Sequence, residues 1–306
     1  MISRSKRSIA LTAALATTLL AACGSDSDDT TNETEGNGNG EAVARELNIG
    51  VPAGWDEGVV VSHMMEIALE EQGYDVTLTD GEIGIIFTGL STGDMDLLLD
   101  AWLPITHESY IAQYGDQIED LGVWYDEAKL ALAVNADSDI QSIEELAEHA
   151  DEFGNEIIGI DGGAGITART RDHVIPTYGL EGMDFQISST AAMLAELDGA
   201  MNEGRDIVVT LWSPHWAYGA YDIRDLEDPE GAFGDIEEIH SYGRDGFAAD
   251  HPEVAEMLGN FTLTDEELSD VENYALNENS DRPTAETVAE WLDENPEVRE
   301  RMNIEE

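Results

Sequence analysis

From residue 46 onward, short runs of branched apolar residues alternate with segments of helical period, and this alternation limits the possible folds more than any other feature of the chain. Leu47–Val51 reads as a first strand. Val59–Gln72 places Val60, Met64, Ile67 and Ala68 at helical spacing and stops at Gly73. Val76–Leu78 predicts a second strand, Ile85–Leu90 a helix ending near Gly93, and Leu97–Leu99 a short buried strand that runs into Trp102. A second set follows, with strands at Leu130–Val134, Ile157–Ile160 and Ile207–Thr210 and helices at Ile143–His149 and Met193–Glu203. Acidic helices are expected near 265–276 and 284–294. Such alternation predicts a parallel α/β sheet, and two sets of it predict two α/β lobes. The expected limits are 45–133 with 236–306 for lobe I and 134–235 for lobe II. Ligands of open α/β sheets bind at the carboxyl ends of strands, here between the lobes.

The residues before the first strand read as export machinery. Arg4, Lys6 and Arg7 precede an apolar stretch, Ile9–Leu20, that is shorter than the ~20 residues of a membrane span. It ends in Leu20-Ala21-Ala22-Cys23, which resembles the lipobox of bacterial lipoproteins. Residues 1–22 are therefore expected to be a removable signal and Cys23 the lipid attachment point, with the protein held on the outer face of the cytoplasmic membrane. Residues 23–44, rich in Gly, Ser, Asp, Asn, Thr and Glu, form a flexible tether. Cys23 is the single cysteine, so neither a disulfide framework nor a cysteine zinc site is available.

The formal charge is −54, from 67 acidic and 13 basic residues. This disfavours nucleic acid and anionic membrane surfaces as partners. The acids are spread along the chain, which fits either a high-salt or an alkaline habitat. The seven histidines show no His-Glu-x-x-His or other ligand spacing, and no Gly-x-Ser-x-Gly elbow occurs. No metal, no cofactor and no enzymatic activity are expected.

Three tryptophans stand in turn-like contexts at strand ends. Trp55 follows Pro52-Ala53-Gly54, Trp102 precedes Pro104, and Trp212 precedes Pro214. Trp124, Trp216 and Trp291 read as packing residues, and His215 is ambiguous. Three indole faces about one point make a cage for a quaternary ammonium. That cation has no N–H to donate, but each ring attracts it by ~0.5–2 kcal/mol when water is excluded. The glycine-rich turn Gly162-Gly163-Ala164-Gly165, between a strand and an expected helix, offers N–H groups to an anion. A short zwitterion needs both ends.

Val51–Trp55, Asp100–His107, Gly159–Ile166 and Trp212–Trp216, in this order and spacing, resemble the glycine betaine/proline betaine substrate-binding proteins of ABC importers, over roughly 46–262. The resemblance implies a two-lobed periplasmic-binding-protein-like (type II) fold that closes on ligand. It implies a tryptophan prism of Trp55, Trp102 and Trp212. It also implies carboxylate contacts from His107 and from the N–H groups of Gly165 and Ile166, and ABC permease and ATPase subunits as partners. The family often has Pro where Gly162 or Gly163 stands, and Gly where Leu211 stands; neither departure removes a ligand-contacting side chain. Choline, carnitine and dimethylsulfoniopropionate share a methylated onium head, and the cage alone does not separate them. A sensory subunit of the same fold is the alternative of a different class.

Overall fold

A computed structural model describes residues 45–302. The expected signal segment, Cys23 and the tether lie outside these residues. Nine strands form among the described residues: β1 (Glu46–Pro52), β2 (Asp75–Gly81), β3 (Leu97–Leu103), β4 (Ile118–Asn135), β5 (Glu156–Ile158), β6 (Asp184–Gln186), β7 (Val208–Ser213), β8 (Ile223–Asp225) and β9 (Glu237–Arg244). They run in the order β2-β1-β3-β9-β4-β7-β5-β6, with β8 also pairing β4.

The first βαβ units form as the sequence predicts. The helix Asp56–Glu71 buries Val60, Val61, Met64, Met65, Ala68 and Leu69 and ends before Gly73, whose φ of +85° suits a residue without Cβ. The helix Ile83–Thr92 ends at left-handed Gly93. β1 pairs in parallel with β2 and β3. In the second half, β5 pairs in parallel with β6 and β7. The sheet as a whole is mixed, not parallel, because β9 runs antiparallel to β3 and β4, and β4 antiparallel to β7 and β8.

β4 joins the halves. Its residues 118–128 pair with β9, and from Lys129 it pairs with β7. Three register shifts between Asp120 and Ala128 bend it along the way. At 18 residues it is about three times the length of an average strand. Neither this first half nor β9 was expected from the sequence. Gly122, Asp126 and Glu127 interrupt the alternation there, and the partners of β9 lie more than a hundred residues earlier.

One further irregularity shapes the site. The register of β3 against β9 shifts between Leu98 and Ala101. Such a bulge re-aims side chains. Asp100, Ala101 and Trp102 beyond it are all buried. No helix among the described residues is long and apolar enough to cross a membrane.

Candidate ligand-binding site

Trp55, Trp102 and Trp212 line one cavity, together with Glu57, Thr106, Leu130, Ile160 and Ile166. Trp55 caps the helix Asp56–Glu71 just beyond β1, while Trp102 and Trp212 are the next-to-last residues of β3 and β7. The sequence places these two just after their strands; the strands in fact extend through them. All three rings are buried, at 6%, 3% and 3% exposure, although they lie on a cavity wall.

Each edge of the cage is anchored. Trp102 Nε1 donates to Asp100 Oδ1 at 2.8 Å, and Trp212 Nε1 donates to Glu57 Oε2 at 3.0 Å. A bond at the indole N–H fixes the ring without engaging its faces, which are the part a cation is drawn to. Trp55 is held differently, stacked on the His107 ring at a centroid distance of 5.5 Å and an interplanar angle of 5°.

His107 is fully buried among Trp55, Phe87 and Tyr110. The backbone N–H of Trp102 donates to its Nδ1 at 2.8 Å. That bond requires Nδ1 to accept, so the ring proton sits on Nε2. Burial pushes the imidazole pKa down to about 3, so the ring is neutral at pH 7. Nε2 is then a buried N–H donor with no partner among the described residues. Such orphan donors are rare without a ligand to meet them. His107 is not on the cavity wall itself. The loop that carries it is pinned by buried Glu237, whose carboxylate accepts the N–H groups of Ile105 and Thr106, both at 2.8 Å.

The glycine turn faces this loop. Gly163 N–H donates to Asp161 Oδ1 and Ala164 N–H to Asp161 O. No hydrogen bond among the described residues uses the N–H of Gly165 or Ile166, which begin the helix Gly165–Arg169. Ile166 lines the cavity; Gly165 lies beside it, packed so closely that an added Cβ would sit 2.2 Å from the Thr106 carbonyl oxygen. Tyr110 Oη donates to Gly163 O at 2.9 Å across the same seam. Trp124 and Trp291 are buried away from the cavity, as expected. Trp216 packs too, but its indole N–H also donates to Asp56. His215 meets the Trp212 ring edge-on at 4.9 Å without reaching the cavity wall.

Sequence reasoning missed Glu57, Asp100, Thr106 and Glu237. Glu57 resembles any acid in a first helical turn, and Asp100 stands inside an apolar run that reads as plain core. No group of acidic, histidine or cysteine side chains among the described residues could hold a metal ion.

A family profile described as the substrate-binding domain of the ABC-type glycine betaine transport system matches residues 45–294. The chain belongs to this family. It is a family of transport receptors, not of enzymes. A similar curated protein is the glycine betaine/carnitine transport binding protein GbuC of Listeria monocytogenes, 38% identical over 149 residues. The match takes in 48% of this chain and 48% of that protein, so the chain spans about half the length of this relative. Lactococcal OpuAC, in its closed conformation complexed with glycine betaine, superposes with a TM-score of 0.77 at 28% identity, covering 84% of this chain and 98% of that one. An ABC-transporter choline-binding protein in complex with choline does so with a TM-score of 0.77 at 25% identity, covering 85% and 91%. The two-lobed fold of this family is the fold of this chain.

Proposed function

We propose that the chain is the extracytoplasmic receptor of an ABC importer and captures a small quaternary ammonium zwitterion, glycine betaine first, for osmoprotection. The observation that carries this is the convergence of Trp55, Trp102 and Trp212 on one cavity. The trimethylammonium head sits among the three indoles. The carboxylate takes the N–H groups of Gly165 and Ile166 and the Nε2 proton of His107. A neutral His107 suits this, since it donates without bringing a charge that must be desolvated. The lobes, 45–133 with 236–306 and 134–235, close about the strands that cross between them, and the switch of β4 pairing at Lys129 lies close to the first of these limits. The permease and ATPase of the importer are its partners.

Calorimetric titration with glycine betaine tests this reading. Trp55→Ala, Trp102→Ala and Trp212→Ala should each weaken binding while the thermal unfolding of the free protein stays cooperative. Each loses ~0.5–2 kcal/mol of cation attraction and some apolar burial, about tenfold or more in Kd. Three variants that bind like the parent would remove the cage.

Cys23 we assign as the lipid attachment point, from the small residues that precede it. Expressed in a bacterial host, the parent protein should partition into detergent-rich phases. Cys23→Ala should appear in the soluble fraction, and equal partitioning of the two would contradict the anchor.

A further inference from the structure

Behind the cage lies a knot of carboxylates without a basic partner. Asp56 and Glu57 open the helix Asp56–Glu71, Asp100 sits at the bulge of β3, and Glu272 closes the helix Asp265–Glu272. Glu57 is 1% exposed, and Asp100 and Glu272 are wholly buried. The indole N–H groups of Trp216, Trp212 and Trp102 go to Asp56, Glu57 and Asp100 in turn. Among the described residues, Asp100 Oδ2 and both oxygens of Glu272 are buried without a hydrogen bond of ordinary geometry, the Trp216 backbone N–H being the nearest donor influence on Glu272. Asp100 is pressed so hard against the start of the helix that a Cβ on Gly58 would lie 2.4 Å from Oδ2.

Among the described residues no Lys or Arg forms an ion pair with any of these four acids. Two histidines lie beside the tryptophans. His215 Nε2 is 3.6 Å from Asp56 Oδ2, and His107 stacks on Trp55; burial holds both neutral, with pKa values lowered to about 3. Asp265 adds a further acid facing Glu272, and accepts a hydrogen bond from the Tyr125 hydroxyl. A buried carboxylate that ionises without a counter-charge costs several kcal/mol, so a group of four cannot all be ionised. The cluster keeps protons. Burial, with Asp100 and Glu272 close by, drives Glu57 well above the carboxylate range. Burial raises Asp100 to about 7 and Asp56 to about 6, and burial, with help from Asp56 and Asp100, lifts Glu272 well above its ordinary value.

Glu57 also lines the cavity. A trimethylammonium held there supplies the positive charge that the cluster lacks, and it acts only through its field, having no proton to donate. We propose that capture of the cation expels a proton from this cluster, with Glu57 and Asp100 as the positioning residues that couple the cage to it. The carboxyl O–H gives its proton to the buffer, and the bound cation takes over as counter-charge. The inference rests on the receptor reading above and adds a linkage to it.

The sign follows from which form the cation favours. It stabilises the ionised carboxylate, so the bound protein loses this proton at lower pH than the free protein does. Between those two values affinity rises with pH, by at most about tenfold per unit for one proton. Above the free-state value it is level. For Asp100 the rising limb lies just below neutrality. The opposing link, protonation of His107 against a ligand carboxylate, falls near pH 3 and does not overlap it.

Titration calorimetry with glycine betaine near pH 6.5, in phosphate and in ACES, reads the proton directly, because the two buffers differ in ionisation enthalpy. The heats should differ by the equivalent of about half to one proton released, and Kd should tighten roughly tenfold from pH 6 to 8. Glu57→Gln with Asp100→Asn keeps acceptors for both indoles. It should flatten the pH profile and abolish the buffer dependence, whatever its absolute affinity. Retention of both by the double variant would overturn the assignment to these residues. Should that variant not fold, the wild-type titration decides alone. Buffer-independent heat with a pH-flat Kd would overturn the linkage and leave the receptor intact. No binding of glycine betaine or choline at any pH would overturn the receptor reading and the linkage together.

Discussion

Gly165→Ala is expected to weaken glycine betaine binding about a hundredfold while leaving the free protein as stable as before. The reason is steric and local. The added methyl would lie 2.2 Å from the Thr106 carbonyl oxygen and 2.4 Å from its Cγ2. A side chain can rotate out of such an overlap, but a backbone carbonyl held by Glu237 on the adjacent N–H groups cannot. Overpacking of this kind costs ~1–3 kcal/mol or more, and the upper end corresponds to about a hundredfold in Kd. On the lobe limits proposed above, Thr106 and Gly165 belong to different lobes, so the penalty is expected to fall on the closed form and not on folding. The backbone at Gly165 is helical, so alanine is otherwise welcome there and helps the helix slightly. Gly162→Ala is the control, since its nearest neighbour would be Ile187 Cγ2 at 3.8 Å. Calorimetry and thermal unfolding of both variants check the point. Unchanged affinity in Gly165→Ala would mean that the turn does not close against Thr106 when ligand is bound.

That Trp55, Trp102 and Trp212 share one cavity was legible in the sequence because these residues break a local rule. A core tryptophan belongs inside an apolar run, whereas Trp55, Trp102 and Trp212 stand beside prolines at strand ends. The parallel units were legible for the same kind of reason, since period-2 and period-3.6 patterns alternate cleanly through β1, β2 and β3. What could not be read were features whose partners are remote. β9 returns to pair with β3 and β4 after a separation that leaves no local trace, and β4 is bent by register shifts that destroy its alternation. Glu57 and Asp100 escaped notice because their meaning depends on burial. One looks like a first-turn helix acid and the other like a lapse in an apolar strand, until both are found buried and holding indole N–H groups, with no Lys or Arg paired to them among the described residues. Glu237, from the far end of the chain, pins the His107 loop.

These anchors also explain why the rings are preorganised. A cage that had to assemble around its ligand would lose side-chain entropy on binding. Here two indoles are fixed at their N–H edges and the third by stacking on a histidine whose tautomer is itself set by the backbone of Trp102.

On the reading proposed above, the cavity selects a positive charge and not merely a bulky apolar head. Replacing the trimethylammonium of glycine betaine by tert-butyl gives 3,3-dimethylbutanoate, of nearly the same shape and with the same carboxylate. Burial against the indoles and the contacts to His107, Gly165 and Ile166 survive that exchange. The attraction of a cation to three ring faces does not. At ~0.5–2 kcal/mol per ring, summed non-additively, the loss is at least ~2 kcal/mol. Competition between the two solutes for the purified protein measures it directly. The cage predicts that 3,3-dimethylbutanoate binds at least about thirtyfold more weakly than glycine betaine; equal affinity of the two would contradict it.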